Sequence, residues 1–159
     1  MRPLYSAIAA AVFVALAHNA HAELGQPASS VDLDQRRLAP RIMSVHAVGA
    51  ANRHDMALGN GGAVREFTNA DGTVFAVSWT GPRRPDLRQL FGSVYFQRFQ
   101  ADNVQTGHIR MRRALASTHA DFVVRTGGVS SAQWGYAILP QATPNGFDMR
   151  QLTATDGQP

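Results

Sequence analysis

The chain contains no cysteine. That absence removes disulfide staples, thiolate zinc sites, Cys-x-x-Cys redox chemistry and cysteine nucleophiles at once. Lysine is absent too: all 15 basic residues are arginine, which excludes Ser-x-x-Lys nucleophiles and any phosphate loop that relies on lysine. No Gly-x-Ser-x-Gly elbow occurs, so the strained turn that exposes a serine in many hydrolases has no counterpart. Long apolar runs are scarce. Past residues 4–17, each is broken by Gly, Pro or charge within about ten residues, far short of a membrane span. Charge of one sign is scarce as well. A formal net charge of +4 is only mildly basic, and no nucleic acid is expected as a partner.

What is present begins with an address. Arg2, the apolar run at residues 4–17 and the small residues Ala20 and Ala22 around His21 have the form of a secretory signal peptide over residues 1–22. The run is too short for a hydrocarbon core of ~30 Å, so cleavage before Glu23 is expected rather than a retained anchor. With no cysteine at the cleavage site for lipidation, the expected product is a free periplasmic or secreted protein with no membrane span. Removing 22 of 159 residues leaves 137, the size of one domain. The reading divides the chain into signal peptide 1–22, an N-terminal segment 23–53 that is loop with a short helix, an α+β domain 54–152 and a flexible tail 153–159.

Within 23–53, Ser29-Ser30-Val31-Asp32 resembles a capping box, and residues 32–38 form the short helix before Pro40 stops it. A Gly- and Ala-rich connection at residues 47–52 leads to a strand at 55–58. Residues 64–69 and 73–79 are strand-like and joined through Ala70-Asp71-Gly72, which predicts a β-hairpin. Strict alternation would place Phe75, Val77 and Trp79 with Val64, and Val74 and Ala76 with Phe67. Pro85 and Asp86 open a helix whose Leu87, Leu90, Phe91, Val94, Tyr95 and Phe99 recur at helical spacing, with Gly92 read as a helical residue close to a strand. Residues 108–113 alternate apolar and basic, as a charged edge strand does. Residues 122–126 and 133–139 make a second hairpin through the turn at 127–131. The sum is an α+β fold: an antiparallel sheet of about five or six strands with one principal amphipathic helix packed on it.

The blocks Val64-Arg65-Glu66-Phe67, Gly72-Thr73-Val74-Phe75-Ala76-Val77-Ser78-Trp79-Thr80-Gly81-Pro82 and Pro85-Asp86-Leu87-Arg88-Gln89-Leu90-Phe91-Gly92 resemble the exported proteobacterial family Domain of Unknown Function 2844. Val123-Val124-Arg125-Thr126-Gly127-Gly128 and Leu139-Pro140 resemble its second half. Phe67 and Phe91 stand where the resemblance leads one to expect Tyr and Leu. The likeness implies export from a Gram-negative cell and a compact domain of this size, and it carries no catalytic residue, ligand or cofactor to this chain.

Chemistry-bearing residues are sparse. His46, His54, His108 and His119 lack the His-x-His or i, i+4 spacing of a shared metal, so no metal and no cofactor are expected. Ser130 and Ser131 read as turn residues. Glu66 falls in a strand, where a salt bridge to an arginine or exposure is expected ahead of catalysis; Arg125 is a candidate partner, and Arg65 points the other way. Arg83 and Arg84 precede a helix start, where positive charge is slightly unfavourable, so a bound anion would suit them. Asp86 competes for the same end. No catalytic residue is assigned. The expected function is that of an exported, non-catalytic envelope protein binding another protein or an anionic envelope component. The alternative is a periplasmic hydrolase with a site gathered from separate strands, which Glu66 or Asp121 reaching a histidine would favour.

Overall fold

The computed structural model describes residues 24–104 and 114–153. The expected signal peptide at 1–22, the edge strand at 108–113 and the tail beyond Thr153 lie outside them. Seven strands form one antiparallel sheet in the order β1-β2-β3-β4-β7-β6-β5. They are β1 (Ile42–Val48), β2 (Ala51–Ala57), β3 (Ala63–Thr68), β4 (Val74–Gly81), β5 (Ala114–Thr118), β6 (Val123–Val129) and β7 (Ala132–Ile138). Helix α1 (Val31–Leu38) precedes the sheet, and α2 (Leu87–Val104) connects β4 to β5. The fold is α+β, one helix against an antiparallel sheet, with a strand count slightly above five or six.

Two meanders meet in the middle. Strands β1 to β4 follow one another across the sheet, β5 to β7 run back from the far edge, and β4 pairs with β7 from Ala76↔Ile138 to Gly81↔Gln133. The segment 23–53 carries α1, all of β1 and the start of β2, so the sheet begins earlier than residue 54. β1 does alternate: Met43, Val45 and Ala47 against Ser44 and His46. Gly49, with φ of 60°, turns the chain tightly into β2 where the sequence reads as a connection. At α1, the Ser30 hydroxyl donates to the Pro27 carbonyl at 2.5 Å. Ser29, the cap position of the expected box, lies inside the 3-10 turn Ala28–Ser30 that leads directly into α1, so it does not stand at a helix start and the box is not formed.

Two expectations about side-chain direction are corrected. Between β3 and β4 the register shifts, Phe67 pairing Ala76 while Thr68 pairs Val74. Phe75 is the extra residue, and it joins Phe67 and Phe147 on the face opposite Val77 and Trp79. One bulged residue reverses the alternation. In α2, Gly92 takes φ 75° and ψ 168° and divides the helix, a conformation that glycine adopts without the cost of a Cβ. The break turns the second half, so Val94 is 66% exposed while Tyr95 and Phe96 lie against the core. Asp86 caps the helix start, its Oδ1 accepting from the N–H of Arg88 at 2.9 Å and Gln89 at 3.4 Å.

The two faces of the sheet differ. On one, Met56, Val64, Val77, Trp79, Val124 and Ala137 pack against Leu87, Leu90, Phe91 and Phe99 of α2. On the other, the segment after β7 lays Phe147 and Leu152 over Phe67, Phe75, Ala76 and Ile138. It covers only part of that surface, the open face of the sheet, where Trp134 is 43% exposed.

Candidate functional site

Arg83 and Arg84 follow β4 and Pro82 and stand just ahead of the capped start of α2. Arg83 is exposed, whereas Arg84 is half-buried and lines a pocket of about 270 Å³ with Leu87, Phe96, Phe99, Gln100 and Leu115. Burial lowers the pKa of its guanidinium, which stays charged at any ordinary pH. Its Nε is buried and has no acceptor among the described residues. Asp86, on the same pocket wall, is engaged by the helix cap.

Glu66 is 2% exposed, which rules out the expected exposure. It stands opposite Val77 and His54 in the strand register, on the helix-covered face. The His54 ring lies 3.2 Å from the Thr68 hydroxyl, and burial lowers its pKa despite the pull of Asp32 and Asp55. Arg65 and Arg125 belong to the other face. Arg65 donates to Asp55 at 3.1 Å, where Arg53 also binds at 2.8 Å; Arg125 donates to the Thr118 hydroxyl at 2.9 Å.

Asp121 meets an arginine rather than a histidine. Arg98 of α2 donates to both its oxygens, at 2.8 and 2.9 Å, and holds its pKa down to about 2. The same guanidinium lies 5.9 Å from the centres of the Tyr95 and Phe122 rings. A serine, an aspartate and a histidine do meet nearby. The Ser117 hydroxyl and the His119 ring, the latter at 2.8 Å, both engage Oδ2 of Asp102. In a nucleophilic triad the imidazole sits between serine and acid and takes the hydroxyl proton. Here the carboxylate sits in the middle and Ser117 is 3% exposed, so the arrangement ties α2 to β5 and puts no imidazole beside the hydroxyl. Among the described residues, no three His, Asp or Glu side chains gather as metal ligands.

The sequence reading passed over a cleft of about 610 Å³ at the β4–β7 pairing. Its walls include Thr80, Pro82, Ser131, Gln133, Trp134 and Leu152. Trp134 lies opposite Gly127 on β6 and Thr80 on β4. A Cβ on Gly127 would come within 2.8 Å of the indole, so the ring rests flat on the glycine. It remains 43% exposed. The signal was available: a hairpin turning at Ser130 and Ser131 sets glycine against tryptophan across two strands.

Fold and cleft together define a small α+β sheet domain with a recessed aromatic surface. The chain belongs to the family described as Protein of unknown function (DUF2844), whose profile matches residues 20–152. No curated protein and no solved structure matches it. Among the described residues, no helix is long and apolar enough to cross a membrane.

Proposed function

We propose that the protein is an exported, non-catalytic component of the Gram-negative envelope, periplasmic or secreted, that binds an anionic envelope component through Arg83 and Arg84. The observation that supports this most is the state of Arg84: a half-buried cation whose Nε lacks an acceptor among the described residues. An unanswered charged donor costs about 1–3 kcal/mol or more, and a carboxylate or sulfate group bound there would remove that cost. Because Asp86 is held by the helix cap, it does not fill the place. An acidic segment of another exported protein is the other occupant with the same chemistry.

Calorimetric titration of the mature protein with sulfate and with polygalacturonate tests the reading. Binding is expected to weaken as salt rises and to vanish in the Arg83→Ser, Arg84→Ser double variant; unchanged affinity overturns it. Export is tested separately by the N-terminal residue of the protein recovered from cells, expected to be Glu23. The hydrolase alternative draws on the placement of His54 opposite Glu66. It expects turnover of an envelope substrate that Glu66→Gln abolishes without unfolding the chain.

A further inference from the structure

We infer that the cleft at the β4–β7 pairing binds an uncharged pyranose ring, stacked on Trp134. This inference concerns a different surface from the arginine pocket and does not depend on it. An indole is a flat apolar plate with a negative face, and one on a sheet is ordinarily covered by packing. Leu152 and Thr153, from the segment that packs on the open face, line the same cleft, and the ring keeps 43% of its surface exposed. The volume, about 610 Å³, lies within the range of small-ligand sites, ~300–1,000 Å³.

The chemistry of the walls selects the ligand. Thr80, Ser131 and Thr153 bring hydroxyls that both donate and accept, and Gln133, whose amide N–H donates to the Val129 carbonyl, keeps its oxygen as an acceptor. No residue of the lining is ionisable. A purely apolar ligand would strand those polar groups, and a phosphate or carboxylate would find no cation. A pyranose answers both features, because its C–H face packs on an aromatic plate while its rim hydroxyls exchange hydrogen bonds with amides and hydroxyls. A nucleoside also stacks, which makes it the informative competitor.

The test is tryptophan fluorescence of the mature protein titrated with cellotetraose, maltotetraose, chitotetraose and adenosine. Saturable change is expected with at least one tetrasaccharide, insensitive to salt and retained in the Arg83→Ser, Arg84→Ser variant. Read by isothermal titration calorimetry, which does not need the substituted ring as a reporter, Trp134→Ala should weaken that binding about 10-fold or more, Trp134→Phe less, and Gln133→Ala by a smaller factor. Near-UV circular dichroism, dominated by the buried Trp79, confirms that each variant keeps its fold. No saturable change with any tetrasaccharide, equal binding by Trp134→Ala, or binding of adenosine alone overturns the inference.

Discussion

Trp79 and Trp134 use the same device on opposite faces of one sheet. Each indole lies over a glycine on the neighbouring strand, Trp79 over Gly135 and Trp134 over Gly127. On the helix-covered face the ring is closed in by Phe91, 5.8 Å away between centres. On the open face Trp134 keeps 43% of its surface exposed. Trp79 even leaves its N–H buried without an acceptor among the described residues, a cost that the packing of a large ring offsets. The comparison separates two uses of aromatic area: one face holds the domain together and the other remains available for contact.

Substitutions can break that contrast, beginning with the strongest. Phe91→Ala removes a ring that touches Trp79, Phe99 and Phe122; urea denaturation should show a loss of about 3–5 kcal/mol. Adding one methyl group to each glycine comes next. In Gly135→Ala the Cβ would stand 2.2 Å from the Trp79 ring, which has no room to retreat, and about 1–3 kcal/mol is expected to be lost. In Gly127→Ala the half-exposed Trp134 can swing outward, so stability should fall by about 1 kcal/mol or less while the fluorescence response to saccharide suffers. Equal losses at the two glycines would erase the distinction between the faces.

Two acid-range effects are smaller. Burial keeps the folded pKa of His54 below its ordinary value of 6.5, so the unfolded chain takes up that proton more readily. Stability should therefore decline as pH falls below 6.5, and melting curves of His54→Gln should show less of that decline. Asp121 works at lower pH. Held at about 2 against an ordinary 3.8 by Arg98, it stabilises the fold above 3.8, and that contribution fades as pH drops toward 2. Asp121→Asn should flatten the acid limb of the melting profile between those values.

The two hairpins around residue 71 and residue 130 were legible because turn residues interrupt clear strand runs. The helix over Leu87–Val104 was legible from its spacing, but not its break: Gly92 looks like an ordinary weak helical residue until φ is known. β1 was hidden because its alternating residues are largely exposed, Met43 and Val45 among them, and pairing rather than burial holds it. Phe75 was misplaced by a bulge that local sequence does not mark. Arg83 and Arg84 could be named from their place before the helix, whereas the lack of an acceptor at Arg84 Nε belongs to tertiary structure. Trp134 was visible as a residue and invisible as a site, since its exposure depends on where Leu152 and Thr153 come to rest.

The β4–β7 pairing has a consequence for how the chain assembles. Strands β1 to β4 and β5 to β7 each join through short local turns, but the ladder between the two groups requires α2 and two further strands to be gathered first. Closing that long loop is entropically slow compared with forming either meander. The seam is thus expected to form after the two meanders. Because the walls of the cleft come from both sides of it, the recess takes shape only when the two halves have zipped together.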